Sequence, residues 1–346
     1  MTKTFILGIG AQRTGSTWLH AQLRKNRSIN MGLCKEYHVF DVLFTPYLPN
    51  YRRGLTEKIN RGREAGEQVA RELKLRSFLE DPGNYFNYFH DLYERNAQTQ
   101  AVGDFTPSYS MLDADAFRFI RSGLNERGFR VRVIFMMRDP VERVWSMFHQ
   151  AAKVRKALES NQKRVATLVT FTNPEASMRT RYDRTIAELE KVFPPDDIFY
   201  DFYERFFTPG SYSNLGRFLD MELENPDFAT VRNKSLEKSE VPPDLAKQAA
   251  RHYAQTYRFI RHRFGEQMVD LWPGYRDPPR QSPPAVPGSV AGIRTGRRLH
   301  PDTSRSAFCS RGRRPRKFSD SPRRTACALA RRNTTPPAGR SFVGLA

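Results

Sequence analysis

Two arginines, each placed where an apolar run gives way to a helical pattern, are the residues of this chain best suited to hold an oxyanion. Arg13 lies in Gly10-Ala11-Gln12-Arg13-Thr14-Gly15-Ser16-Thr17-Trp18, directly after the apolar run that enters at Phe5. Arg138 ends Val131–Met137, stands before Asp139-Pro140, and is followed eight residues later by Ser146. A guanidinium presents a planar fork of donors. Glycines let backbone N–H groups curl round an anion, and a helix N-terminus adds its dipole. Between the two lies Lys35-Glu36-Tyr37-His38, two charges and a histidine packed between apolar stretches.

The first loop comes close to the nucleotide-binding pattern G-x-x-x-x-G-K-[ST]. Gly10 and Gly15 have the right separation and Thr17 stands at the hydroxyl position, but Ser16 occupies the place of the lysine. In an ATP-using loop that lysine reaches the outer phosphates and the hydroxyl holds magnesium. Here the strong cation, Arg13, meets the anion from the middle of the loop. A phosphate-type ligand handled without Mg·ATP follows; the plainer alternative is an ordinary strand-to-helix turn.

The elements that must position these residues can be read from periodicity and stop signals. Phe5–Ile9 is a strand and Ser16–Asn26 a helix. Residues 56 to 80 are charged and helical in character, and Arg76–Tyr93 is rich in Phe and Tyr of the kind that fill a core. Ala101–Asp104 reads as a short strand ended by the turn Phe105–Tyr109, and Asp113–Glu126 as a helix. Val131–Met137, β-branched and apolar, suits a buried parallel strand. Asp139 is a good N-cap and Pro140 a good first helical residue. Arg179–Phe193 is expected to be helical, Ile198–Tyr203 a strand, Asn214–Met221 a short helix, Val231–Ser235 a basic loop, and Asp244–Phe264 one long helix, with Trp272-Pro273 closing the domain.

The chain has 346 residues, enough for one large domain, and 25 Phe plus 14 Tyr can supply its core. Its net charge of +20 calls for an anionic partner. Residues 277–346 hold fifteen basic residues against three Asp, which is +12, leaving +8 for residues 1–276. That second stretch has ten Pro, no Glu and almost no apolar periodicity, so it is expected to be a disordered Pro/Arg-rich tail. Three cysteines make no disulfide framework. The opening MTKTFILGIG runs straight into the loop with no cleavage site, and no run reaches membrane-spanning length, so a cytoplasmic setting is expected.

Taken together, the motifs resemble the sulfotransferase superfamily that uses 3′-phosphoadenosine 5′-phosphosulfate (PAPS). Gly10–Leu19 is similar to that family's 5′-phosphosulfate loop. Arg138-Asp139-Pro140-Val141-Glu142-Arg143-Val144-Trp145-Ser146 is similar to its 3′-phosphate motif. Lys35-Glu36-Tyr37-His38-Val39-Phe40 resembles the Lys-Glu-x-His-Phe-Phe segment of the heparan-sulfate-type branch, and Gly103–Tyr109 resembles that branch's Thr/Ser-Pro-x-Tyr segment. The resemblance spans roughly residues 4 to 275. It implies a single α/β domain over 1–276, P-loop-like, with a central parallel sheet and helices on both faces. It implies that Gln12, Arg13, Thr14, Gly15, Ser16, Thr17 and Trp18 bind the 5′ side of the cofactor and Arg138 and Ser146 its 3′-phosphate. It implies Glu36 as the base that deprotonates the acceptor, with Lys35 or His38 assisting and Arg13 facing the leaving phosphate. No metal is called for, and the acceptor by this resemblance is a carbohydrate hydroxyl or amine.

Three positions depart from the pattern: Arg13 stands for the usual loop lysine, Phe105 for the lysine of the Thr-Pro segment, and Val39 for an aromatic. No Gly-Arg-x-His-Pro loop is visible, and Arg232 and Lys234 are the basic residues expected in its place. A P-loop small-molecule kinase is the nearest rival, with Asp104 as its magnesium ligand. A nucleic-acid-binding protein acting through the Arg-rich tail is the other.

Overall fold

The computed structural model describes residues 3–154, 173–229 and 240–276. Expectations for Arg232, Lys234 and the tail 277–346 lie outside the described residues. Five strands form the sheet: β1 Lys3–Gly10, β2 Ile29–Asn30, β3 Ala101–Phe105, β4 Phe129–Met137 and β5 Ile198–Phe202. Their order is β2-β3-β1-β4-β5, and every pairing is parallel. Phe5 stands opposite Val102 on one side and Val131 on the other. All carboxyl ends therefore share one edge, and the chain leaves β1 toward one side of the sheet before returning to the other with β4. That reversal opens a crevice beside β1, where α/β sheets take their ligands.

Helices cover both faces because β1 and β4 are apolar on both. Phe5, Leu7 and Ile9 join Val131, Val133 and Phe135 in the larger core, while Ile6, Ile134 and Met136 point to the other face. The smaller core is closed by α1 Ser16–Leu23 with Trp18 and Leu19. The larger is covered first by α2 Phe40–Phe44, α3 Tyr51–Glu64, α4 Ala70–Glu80, α5 Pro82–Glu94 and α6 Ala114–Asn125. Then follow α7 Pro140–Val154, α8 Pro174–Met178 and α9 Tyr182–Glu190. The chain continues with α10 Tyr203–Phe206, α11 Pro209–Leu219, α12 Pro243–His252, α13 Ala254–Phe264 and α14 Gln267–Leu271. This is the single α/β domain with a parallel sheet that the sequence implied. Among the described residues no helix is long and apolar enough to cross a membrane.

Side-chain competition for backbone partners explains where the helices depart from expectation. The first ends at Leu23 rather than Asn26, because the Asn26 amide donates to the carbonyls of Gln22 and Leu23 at 3.0 and 3.2 Å. The helix expected over 179–193 runs over Tyr182–Glu190 and is set off from α8 at Thr180, whose hydroxyl donates to Ala176 O and accepts from Arg143 Nε at 2.9 Å each. The long helix expected over 244–264 is broken at Tyr253, which is fully buried. The helix expected at Asn214 starts at Pro209, capped by Thr208.

The aromatics of α5 are core rather than a ligand platform. Phe89 is fully buried with Tyr85 and Phe5 at 4.8 and 4.9 Å between ring centroids. Phe89→Ala is expected to lower stability by about 3–5 kcal/mol, read as a lower urea midpoint at unchanged slope.

Candidate active site

The β1–β4 pairing brings Arg13 and Arg138 together. The loop after β1 turns sharply, with Arg13 and Gly15 at φ of 70° and 81°. A Cβ at Gly15 would lie 2.4 Å from Phe207 Cζ, so both the turn and the space require glycine. Thr14 Oγ1 donates to Ala11 O at 2.6 Å and closes the loop on itself. The Arg13 Nε then donates to Ser146 Oγ at 3.0 Å, and Arg138 Nη1 reaches Arg13 O at 3.4 Å. Residues from two motifs more than a hundred positions apart thus meet at one point.

Arg138 is held by its surroundings more than by acid partners. Its guanidinium lies 4.4 Å from the centroid of the Tyr203 ring, and its carbonyl accepts from Tyr182 Oη at 2.9 Å. One nitrogen pairs with Glu142 at 3.3 Å, while the buried Nε has no hydrogen-bond partner among the described residues. Burial, and then the charge of Arg138, push the Arg13 guanidinium below its ordinary pKa. Two crowded, partly desolvated guanidiniums beside a hydroxyl and a helix N-terminus suit a multiply charged oxyanion.

Asp139 fixes the start of α7, and with it Ser146. Its buried carboxylate accepts from Val141 N at 2.8 Å, Tyr257 Oη at 2.9 Å and Gly274 N at 2.8 Å. Glu204 accepts from Asp139 N and from Trp272 Nε1. Of the other loop residues, Ser16 is buried at the first turn of α1, and Gln12 Oε1 is buried with no partner among the described residues. Trp18 donates from Nε1 to Asp227 O at 2.8 Å and stacks on Phe228 at 5.5 Å. Thr17 sits half-buried beside them.

The second cluster is built on Lys35–Asp41. Lys35 Nζ donates to one oxygen of Glu36, and His38 Nε2 lies 3.3 Å from the other. His38 Nδ1 is 2.7 Å from Asp41 Oδ2, which also accepts from Ser108 Oγ. Burial opposes the charge on Glu36, but the bonds to His38 and Lys35 override it and hold the carboxyl at about 2. Burial likewise opposes the charge on His38, but Asp41 and then Glu36 raise the imidazole to about 9. At neutral pH Glu36 is therefore a carboxylate and His38 an imidazolium.

The turn after β3 buttresses this row. Tyr37 N donates to Thr106 Oγ1 at 2.9 Å, and Thr106 in turn donates to Asp104 Oδ1 at 2.6 Å. Tyr85 donates to the other Asp104 oxygen at 2.9 Å, and Val39 N donates to Tyr109 Oη. Asp104 is therefore a buried structural acid, pushed up to about 7 by burial, with both oxygens engaged. The same turn is tied to the end of β1, since Thr106 N donates to Gly8 O at 2.9 Å. Asp41, Ser108 and Tyr203 were not anticipated from the sequence. The spacing His38-x-x-Asp41 was the one available signal. Beside Glu36 and His38 opens a cleft of about 490 Å³ that passes Tyr51 and Leu55 to Lys58 and Arg71. Among the described residues no group of three or more His, Cys, Asp or Glu is placed to hold a metal ion.

The family model described as "Sulfotransferase domain" matches residues 2–240. The chain belongs to the sulfotransferase family. It is an enzyme of that class, and its chemistry is sulfuryl transfer. Among solved structures it is similar to a sulfotransferase from Alicyclobacillus acidocaldarius, with 16% identity, TM-score 0.51, and 76% of this chain and 96% of that one covered. It is also similar to the sulfotransferase domain of the Synechococcus PCC 7002 olefin synthase, with 17% identity, TM-score 0.39 and coverage of 71% and 86%. A mouse sulfotransferase, SULT7A1, solved with PAP, matches at 10% identity, TM-score 0.36 and coverage of 65% and 60%. No curated protein matches the chain.

The Glu36–His38–Asp41 row gives a direct test. His38 is expected to titrate near 9 by NMR, and Asp41→Asn to bring it down by more than a unit. The stabilisation that His38 draws from its partners is full below its ordinary value of 6.5 and is lost as pH rises through about 9. That of Glu36 is full above 4.5 and is lost as pH falls through about 2.

Proposed function

We propose that this sulfotransferase uses PAPS as its donor and that Glu36 accepts the proton of the acceptor. The observation that carries the donor reading is the meeting of Arg13, Arg138 and Ser146 at the carboxyl ends of β1 and β4. This donor set suits a ligand with phosphates at two places: the loop amides of Gln12–Thr17, Arg13, Ser16 and Thr17 for the 5′-phosphosulfate, Arg138 and Ser146 for the 3′-phosphate. The buried Arg138 Nε, without a hydrogen-bond partner among the described residues, supports it, whereas Trp18 is buried in the smaller core. Arg232 and Lys234 remain proposed members of the same site. PAPS, when bound, supplies the sulfuryl group.

The protein's part is alignment and charge, the main needs of this kind of transfer. Arg13 neutralises charge that grows on the phosphate side. Glu36 is ionised at neutral pH, and its bonds to His38 and Lys35 make it a weak base until those partners are drawn to another anion. His38, held by Asp41, keeps the second oxygen of Glu36 in place. The segment resembling the heparan-sulfate-type branch suggests a carbohydrate hydroxyl or amine as acceptor. A cytoplasmic setting suits Cys34, a free thiol.

Calorimetric titration with 3′-phosphoadenosine 5′-phosphate is expected to show micromolar binding that needs no magnesium, weakened at least tenfold by Arg138→Ala. Tight binding of Mg·ATP with none of the bisphosphate would make Gly10–Thr17 a kinase loop instead. Glu36→Gln should keep bisphosphate affinity and lose about 10²–10⁴-fold in turnover. Near-normal turnover in that variant removes Glu36 from the base role.

A further inference from the structure

The cleft beside Glu36 has a chemistry of its own, set by α3 and α4. Tyr51, Leu55 and Lys58 follow one another along one face of α3. The Tyr51 ring lies 5.2 Å from that of His38, which fixes the end of the cleft where the proton is taken. Lys58 stands seven residues further on, roughly 10 Å along the helix axis. There Lys58 Nζ and Arg71 Nη2 share a single oxygen of Glu72, at 2.7 and 2.8 Å. Two half-exposed cations on one buried carboxylate leave a net positive charge facing the cleft.

The wall between these ends is apolar. Leu55 and Leu75 are buried beneath it. Burial pushes the Cys34 thiol up to about 12, so it presents a neutral sulfur. Gly54 lies open, with no atom within 4 Å of where its Cβ would stand. Among the described residues no aromatic ring but those of Tyr51 and His38 lines the cleft, and an aliphatic wall between charged groups suits an apolar chain better than a ring of hydroxyls.

We propose that this cleft takes an amphiphilic acceptor, with a hydroxyl at Glu36, an apolar body along Leu55 and Leu75, and a single anionic group at the Lys58 and Arg71 cations. The inference rests on the sulfotransfer reading and names a different acceptor class from the carbohydrate hydroxyl or amine suggested by resemblance. In the transfer the acceptor O–H bond breaks and its proton passes to Glu36. A bond forms from that oxygen to sulfur as the bond from sulfur to the phosphate oxygen breaks, its electron pair staying on the phosphate.

The test uses ω-hydroxyalkanoic acids of increasing length, the matching alcohols without the carboxylate, and a neutral disaccharide. Turnover is expected to peak at one chain length of the hydroxy acids and to exceed that of alcohols and disaccharide. Arg71→Gln should raise KM for the hydroxy acid about tenfold at unchanged kcat, and leave the alcohol unaffected. Gly54→Phe, which fills the cleft from an open helix position, should abolish hydroxy-acid binding by calorimetry while bisphosphate affinity and thermal stability hold. Preference for the disaccharide, or equal effects of Arg71→Gln on acid and alcohol, overturns the inference. Hydroxy-acid binding is measured without any donor, so the two readings fail separately. Bisphosphate binding without hydroxy-acid binding sinks the cleft proposal alone, whereas hydroxy-acid binding without bisphosphate binding supports the cleft and sinks the donor reading.

Discussion

The parallel pairing of β1 with β4 is the constraint on which the rest depends. Neither Arg13 nor Arg138 would sit beside a second guanidinium by choice, because desolvation and like charge both oppose it. The register of two buried strands forces the proximity, and the cost is carried by apolar contacts on both faces of the sheet. Tyr203, Glu142 and Ser146 then moderate the repulsion without neutralising it. The result is a preorganised positive site whose geometry is fixed before any anion arrives.

The two clusters share one piece of backbone. The turn after β3 donates to Gly8 O on one side and carries Thr106, Ser108 and Tyr109 toward Tyr37, Asp41 and Val39 on the other. Phe105, standing where the resembling family has a lysine, is buried and faces the His20 ring edge. The cation lost there leaves an apolar plug behind α1.

Strands β1, β3, β4 and β5, the loop and the Asp139-Pro140 start were legible because each rests on local signals: β-branched runs, glycine spacing, a cap followed by proline; β2, two residues long, carried no such signal. The sheet-end clustering of Arg13, Arg138 and Ser146 came through the motifs. What escaped reading depended on distant partners. Nothing local marks Tyr203 as the platform under Arg138, or Glu72 as the anchor of Lys58 and Arg71. The break at Thr180 arises from Arg143, far away in sequence, and periodicity alone could not place it. Thr208-Pro209 was a local start signal and was readable, but Asn214 drew the expected boundary instead.

The far end of the described chain closes the cap of α7. Gly274 N and Tyr257 Oη both bond Asp139, and Trp272 reaches the Glu204 that holds Asp139 N. Tyr257, Trp272 and Gly274 lie beyond the stretch matched by the family model. On a ribosome the first loop emerges early, but the carboxylate that seats Ser146 waits for partners made more than a hundred residues later. The nascent domain thus exposes its strong cations well before it can organise them.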